Sequence, residues 1–153
     1  MSSGLSDGVV TLRPFTLDDV EDVVQACRDP EIEHWTQVPV PYLPEHAVGW
    51  ISSHAEEWER GETATLAVAD AASGRFLGSM SAAGAQHAAR EVGFGYWTAP
   101  WGRGKGMTSR AARLLVAWCL DEGGFDRVQA EVEDVNVPSV RVVQSAGFVR
   151  ADL

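Results

Sequence analysis

The sequence is poor in cysteine and contains no long apolar run. Its two cysteines, Cys27 and Cys119, lie in predicted helices and form neither a CxxC pattern nor a His/Cys cluster. We therefore expect free, buried thiols in a cytosolic protein, with no disulfide and no metal site. No apolar stretch is long enough to span a membrane, and the first residues lack the basic start and apolar core of a signal peptide. These absences favour a cytoplasmic protein without a membrane partner.

Positive charge is also scarce. The sequence has 12 Lys and Arg residues against 22 Asp and Glu residues, which gives a formal net charge of −10. This balance argues against a nucleic-acid partner. An acidic surface attracts cationic substrates such as amines or basic peptides, although acidity also serves solubility alone. An anionic ligand would need a local basic patch, for which the candidates are Arg103, Lys105, Arg110 and Arg141.

The length of 153 residues is that of a single domain, and neither an internal repeat nor a linker divides it. Residues 1–8 are rich in Ser and Gly and are expected to be disordered, which leaves 9–153 as one domain. The element order β-α-α-β-β-β-α-β-α-β predicts an α+β fold built on a mixed sheet. The predicted strands lie at 9–13, 63–69, 75–82, 127–133, from 91 and from 148; the predicted helices lie at about 18–28, 45–60 and 138–146 and after 106. The segment 31–44 is expected to be a loop because its prolines exclude long regular structure.

The most informative stretch runs from Glu91 to Cys119. A strand with alternating apolar residues leads into the Gly-rich turn 102–106, and a helix with one apolar face follows. The glycines of the turn let the backbone approach a ligand, and the first turn of the helix offers unpaired N–H groups. Arg103 and Lys105 lie at this same end, where cations are unfavourable unless an anion binds. The pattern indicates a phosphate or pyrophosphate site; the alternative is a tight turn with two solvated basic residues.

Two common phosphate-binding motifs do not match this turn. The P-loop pattern G-x-x-x-x-G-K-[ST] is absent. The dinucleotide fingerprint G-x-G-x-x-G needs a final glycine where Met107 or Thr108 stands. Neither motif therefore identifies the phosphate ligand of this turn.

The turn resembles the signature of a known family. Arg103 to Thr108 is similar to the Arg/Gln-x-x-Gly-x-Gly/Ala motif of the GNAT N-acetyltransferases, and nearly the whole chain fits that family. The segments 12–14, 93–97, 136–139 and 146–148 are similar to the RimJ/RimL branch, which acetylates protein N-termini. Thr108 departs from the broad signature, which has Gly or Ala there, but the RimJ/RimL branch often has a larger residue at that position.

The resemblance implies a GNAT (acyl-CoA N-acyltransferase) fold, with a mixed, mostly antiparallel central sheet and helices on both faces. It also implies acetyl-CoA as the cosubstrate, without a metal. In this family the loop binds the pyrophosphate, the end of the preceding strand pairs with the pantetheine arm, and an Asn-x-x-Ser segment contacts the pantetheine and sulfur region. The corresponding residues of this chain are Arg103, Gly104, Lys105, Gly106, Met107 and Thr108 for the loop, Tyr96, Trp97 and Thr98 for the strand, and Asn136 and Ser139 for the last segment.

The family transfers the acetyl group by direct attack of a primary amine, without a covalent enzyme intermediate. The resemblance implies a protein or peptide N-terminus as one candidate acceptor. Glu91 is the best candidate for the catalytic base, although a solvated strand-end acid is the alternative. Ser139 could donate to the departing thiolate, and Asn136 could be a helix cap, a pantetheine contact or both. Trp35 and Tyr42 either line the acceptor wall or only pack.

Two other functions are open at this point. The chain could be a non-catalytic acyl-CoA-binding module or sensor, or it could acetylate a small amine or an amino sugar.

The end of the sequence is short for this family, whose members usually continue beyond the strand at Gly147-Phe148 with a hairpin and one more strand. A final strand that stops at Leu153 would leave an open sheet edge, guarded only by Arg150 and Asp152. We expect either a truncated sequence or a second subunit that covers the edge, and hence some self-association, such as a homodimer.

Overall fold

A computed structural model of the chain describes residues 4–86, 91–132 and 136–149. Within these residues, six strands form a single sheet and five helices pack around it. The elements are β1 (Leu5–Ser6), β2 (Val10–Pro14), α1 (Val20–Cys27), α2 (Pro30–Trp35), α3 (Pro44–Glu59), β3 (Thr63–Asp70), β4 (Phe76–Gln86), β5 (Glu91–Thr98), α4 (Met107–Asp121), β6 (Arg127–Ala130) and α5 (Val137–Ser145). None of the described helices is long and apolar enough to cross a membrane.

The sheet is mixed and mostly antiparallel, as the resemblance implied. Its strands follow one another in chain order, and every neighbouring pair is antiparallel except β5 and β6, which run parallel. The two parallel strands pair only from Glu91 to Phe94 of β5, opposite Arg127 to Ala130 of β6. Beyond Phe94 they separate, so the edge of β5 that faces β6 is open from Gly95 onwards. This opening positions the functional site.

Each face of the sheet carries its own apolar core. One core contains Leu12, Met80 and Leu115 and is covered by α4 and α5. The other contains Val23 and Phe76 and is covered by α1, α2 and α3. Complete burial of one such side chain contributes about 1.5–3 kcal/mol, so both helical layers stabilise the sheet. The helices therefore lie on both faces, as expected.

Two helices begin at prolines. One of them, α2, occupies the first part of the segment 31–44, where a loop was expected. Pro30 is the first residue of α2 and Pro44 the first residue of α3. Proline fits there because the first turn of a helix does not use its N–H groups within the helix. Asp29 caps α2, since its Oδ2 accepts the N–H groups of Glu31 and Ile32 at 3.2 Å and 3.3 Å. The Asp29-Pro30 pair thus ends α1 and starts another helix.

The expected disorder of residues 1–8 is wrong for Leu5 and Ser6. They form β1 and pair with Leu12 and Thr11 of β2. Asp7 then accepts the N–H groups of two residues at the start of β2, each at 2.9 Å. This short turn fixes the segment to the sheet; residues 1–3 lie outside the described residues.

The C-terminal part is shorter in regular structure than predicted. The strand expected at 127–133 ends at Ala130, and α5 ends at Ser145. Phe148 and Val149 are not in a strand, and residues 150–153, which would complete the expected final strand, lie outside the described residues. The polar loop expected at 85–90 begins inside β4, and its last four residues are likewise outside them. Cys27 and Cys119 are free and buried, as predicted.

A buried histidine without hydrogen-bond partners lies in α3. Neither ring nitrogen of His54 has a partner. The rings of Phe15 and Trp50 lie 5.3 Å and 4.5 Å from its centroid. Burial lowers the pKa of His54, and the carboxylate of Glu57 opposes this shift. Folding therefore favours the neutral imidazole.

We expect this histidine to make the fold less stable in mild acid. Its pKa in the unfolded chain is about 6.5 and its pKa in the folded chain is lower. The contribution of neutral His54 to the free energy of unfolding is therefore complete above about pH 6.5 and is lost as the pH falls below that value. The loss between about pH 7.5 and about pH 5.5 should reach at most about 1.4 kcal/mol.

Urea unfolding at these two pH values checks this expectation. The variant His54→Leu replaces the imidazole with an apolar side chain of similar size that cannot be protonated. Its free energy of unfolding should fall less between the two pH values than that of the unaltered chain. An equal fall in both proteins would contradict the assignment to His54.

Candidate active site

A groove of about 990 Å³ opens where β5 and β6 separate. It is bounded by α2, by the end of β5, by the turn before α4 and by the residues from β6 to the start of α5. Its lining residues are Glu31, Ile32, Trp35, Thr36, Phe94, Gly95, Tyr96, Trp97, Thr98, Gly102, Arg103, Gly104, Gly106, Thr108, Ser109, Ala130, Glu131, Val132, Asn136, Pro138, Ser139, Arg141 and Val142. Ten of the fourteen residues predicted for the site are among them.

The turn before α4 has the geometry of a phosphate cradle. Gly104 and Gly106 have φ angles of +74° and +72°, in the left-handed region that glycine adopts most easily. Gly106 is the N-cap of α4, and the N–H group of Arg110 makes a helical bond to its carbonyl at 3.2 Å. The amides of the first turn have no partner within the helix. A Cβ added at Gly104 or Gly106 would meet no atom within 4 Å, so the space in front of the turn is open to a ligand.

A pair of threonine hydroxyls joins the strand to the helix beside this cradle. Thr98 ends β5, Thr108 lies in the first turn of α4, and their Oγ1 atoms are 2.8 Å apart. The bond uses one of the two hydroxyl protons, so the other can be donated to a ligand. This contact shows how the chain uses the position at which its loop departs from the broad signature.

The far side of the groove is fixed to β5 by a hydrogen bond across the opening. The hydroxyl of Tyr96 donates to the carbonyl of Ser139 at 3.1 Å, and burial is the main cause that raises the pKa of Tyr96. Oδ1 of Asn136 accepts the N–H group of Ser139 at 3.4 Å, so Asn136 is the N-cap of α5, as predicted. The amide nitrogen of Asn136 can still donate to a ligand.

Acidic residues hold two of the four cations that were candidates for a basic patch. Nη2 of Arg103 lies 2.7 Å from Oδ2 of Asp29, and its Nη1 lies 3.5 Å from Glu31. The hydrogen bond from Arg103 is the main cause that lowers the pKa of Asp29. Arg110 is bound by Asp7 at 2.9 Å. A ligand phosphate must therefore compete with Asp29 for Arg103.

The other two candidates of that patch differ in position. Arg141 lines the groove. Lys105 does not, and it lines a separate cavity of about 490 Å³ together with Arg75 and Trp101. The predicted contact of the Lys105 side chain with the cofactor is therefore not supported by its position.

Two further predicted residues lie in the core rather than in the groove. Tyr42 is 3% exposed and packs among the residues beneath α1 to α3. Burial raises the pKa of its hydroxyl, and the Cys27 side chain adds to the shift. Met107 is 9% exposed and belongs to the core beneath α4. Of the two aromatic residues left open between lining and packing, Tyr42 packs and Trp35 lines the groove.

Glu91, the predicted base, is at the opposite end of β5 from the cradle and does not line the groove. Its Oε2 accepts a hydrogen bond from Nε2 of Gln129 at 2.7 Å, and its Oε1 lies 3.9 Å from Arg127. By strand alternation Glu91 projects from the same face of β5 as Gly95 and Trp97, both of which line the groove. A proton would have to reach Glu91 along that face through water.

Three acidic residues near the groove were not predicted. Glu31 and Glu131 line it, and Asp29 lies behind Arg103. Asp29 could have been found, because Asp followed by Pro is a typical N-cap and first residue of a helix. No short-range pattern marks Glu131, which reaches the groove only because β6 leaves β5. Within the described residues there is no group of three or more His, Cys, Asp or Glu side chains that could hold a metal ion.

Comparison with known proteins identifies the fold and the family. The profile of the acetyltransferase (GNAT) domain matches residues 10–149. The chain belongs to the GNAT acetyltransferase family. This confirms the family predicted from Arg103 to Thr108, together with its fold.

The GNAT chain is also similar to individual proteins. It is 30% identical over 99 residues to the probable N-acetyltransferase YjcK of Bacillus subtilis (strain 168), a match that covers 64% of this chain and 55% of that protein. The match therefore spans little more than half of that relative's length.

Among solved structures, a putative ribosomal-protein-serine acetyltransferase from Vibrio cholerae has a TM-score of 0.87 at 20% identity, covering 98% of this chain and 85% of that one. Mycobacterium smegmatis RimJ in complex with CoA-disulfide has a TM-score of 0.84 at 24% identity, covering 95% and 72%. These likenesses support the fold.

Proposed function

We propose that this chain is an N-acetyltransferase that moves an acetyl group from acetyl-CoA to a primary amine. One observation carries the proposal: the cradle before α4, the open edge of β5 and the first turn of α5 border one continuous groove. A long cofactor with phosphates at one end and a thioester at the other needs these three parts in this order. Family membership supplies the chemistry.

The residues of the groove fit such a cofactor. The free amides at Gly106 and in the first turn of α4 would bind the pyrophosphate, helped by the partial positive charge at that helix end. Backbone groups of Tyr96, Trp97 and Thr98 would pair with the pantetheine arm as a strand would. Asn136 and Ser139 would contact the arm beyond it.

The reacting groups follow from the same placement. Acetyl-CoA supplies an activated acyl group as a thioester. The acceptor amine must lose a proton, and we assign the role of proton acceptor to the carboxylate of Glu91. The proton would reach Glu91 through water along the face of β5 that Gly95 leaves uncovered. The hydroxyl of Ser139 lies at the groove and would donate to the sulfur as the thiolate departs.

The acceptor is proposed to be a protein or peptide N-terminus. The RimJ/RimL-like branch supports this choice, and so do the acids at the groove, Glu31 and Glu131, which favour a cationic amine. Trp35 would offer a ring face to the same cation. A homodimer also remains a prediction.

Isothermal titration calorimetry with acetyl-CoA, CoA and NAD tests the cofactor part of the proposal. We expect acetyl-CoA and CoA to bind at a stoichiometry of one and NAD to show no measurable heat of binding. Tight binding of NAD without binding of CoA would overturn the proposal. Normal binding of acetyl-CoA without any turnover would instead indicate a non-catalytic acyl-CoA-binding module.

A further inference from the structure

One carboxylate oxygen of Asp29 accepts hydrogen bonds both from the turn before α4 and from the first residues of α2. Oδ2 of Asp29 accepts the N–H groups of Glu31 and Ile32, which caps α2. The same atom lies 2.7 Å from Nη2 of Arg103. Asp29 is 15% exposed at its side chain, so this contact is largely shielded from solvent. Neither α2 nor the turn can shift without affecting this atom.

The charges at this contact oppose the binding of an anion. Arg103 is paired with Asp29 and with the more distant Glu31, so two negative charges surround one positive charge at the mouth of the groove. A pyrophosphate that reached the cradle would meet a guanidinium that already donates a hydrogen bond to Asp29. A diphosphate carries more negative charge than one carboxylate and can accept two parallel hydrogen bonds where Asp29 accepts one, so it can compete for the guanidinium.

We propose that Asp29 is a positioning residue that holds Arg103 against α2 and yields it to the phosphates of the cofactor. This inference rests on the proposed function of the groove. The exchange breaks the hydrogen bond between Arg103 of the turn and Asp29, the N-cap of α2. The helix α2 carries Trp35, which lines the groove on the side proposed for the acceptor. Cofactor binding and the acceptor wall are thereby linked through a single atom.

The exchange predicts opposite effects for two variants that break the same pair. Asp29→Asn keeps the N-cap, because Asn caps helices as well as Asp, but releases Arg103; its affinity for CoA should rise about fivefold. Arg103→Met removes the guanidinium and should lower the affinity for CoA at least tenfold. In the double variant the gain from Asp29→Asn should disappear. A purely structural pair would make both single variants change the affinity in the same direction.

Glu33→Gln is the matched control, because it removes the same charge from the same helix and Glu33 does not line the groove. Its affinity for CoA should stay within about twofold of the unaltered chain, because Glu33 is only half-buried and solvent screens its charge. Asp29→Ser, which also caps a helix without charge, provides a second test should Asp29→Asn fold poorly.

Calorimetric titration of CoA into these variants decides the matter. A fivefold gain for Asp29→Asn or Asp29→Ser, lost in the Arg103→Met background, supports the exchange. Unchanged or weaker binding by both Asp29 variants overturns it and leaves the proposed function intact. No binding of CoA by the unaltered chain would overturn the proposed function and the exchange with it.

Discussion

Gly106→Ala is expected to weaken the binding of CoA at least tenfold. Gly106 is the N-cap of α4 with a φ angle of +72°, and its Cβ would project into open space in front of the cradle. There it would meet the phosphates rather than any protein atom. Loss of one hydrogen bond to a charged group costs about 1.5–3 kcal/mol, and each 1.4 kcal/mol is about a factor of ten in affinity.

Gly74→Ala provides the control for this experiment. Gly74 has a φ angle of +76°, and an added Cβ would also meet no atom within 4 Å, but it lies in the turn between β3 and β4, away from the groove. Both variants should lose about 1–2 kcal/mol of stability through the left-handed backbone. Only Gly106→Ala should lose affinity in a calorimetric titration; an equal loss in both would show that the cradle does not bind the phosphates.

Glu91→Gln is expected to lower kcat about 100-fold while the affinity for CoA changes less than about twofold. A carboxamide cannot take the proton of the amine, and general acid–base catalysis typically contributes about 10²–10⁴-fold. Glu91 is well separated from the cradle and is held by Gln129, so cofactor binding should not sense the change. Steady-state thiol release across a range of pH values, with calorimetry of CoA, separates the two effects.

The variant Glu131→Gln should be measured in the same assays as Glu91→Gln. Glu131 lines the groove, whereas Glu91 does not, so Glu131 is the carboxylate that competes for the role. Glu131→Gln should change the KM of a cationic acceptor more than kcat. If Glu91→Gln keeps full turnover at every pH and Glu131→Gln loses it, the base is Glu131.

Much of the fold could be predicted because its signals are local. Apolar alternation marked β5, and the helical spacing that begins at Met107 marked α4. The Asn136-x-Pro pattern marked the start of α5. The helix α2 was missed because the prolines of the segment 31–44 predict a loop, whereas Pro30 just before that segment starts a helix. The strand β1 was missed because two residues carry no periodicity, and its pairing with β2 depends on a turn at Asp7.

The site was predictable where a motif fixes backbone geometry and not where tertiary packing decides. The conformations of Gly104 and Gly106 follow from the motif, and both residues line the groove. Side chains are different: Met107 and Tyr42 point into cores, and Lys105 turns to another cavity. The bond between Arg103 and Asp29 joins residues 74 positions apart, which no pattern in a single sequence reveals.

The central claim, acetyl transfer from acetyl-CoA to an amine, is tested most directly by measuring thiol release. The unaltered chain should be incubated with acetyl-CoA and a panel of N-terminal peptides, polyamines and amino sugars, and the products weighed by mass spectrometry. The account predicts acceptor-dependent release of CoA and an added acetyl group on an N-terminal peptide. Acetyl-CoA bound at full occupancy, with no thiol released against any amine in the panel, would contradict it.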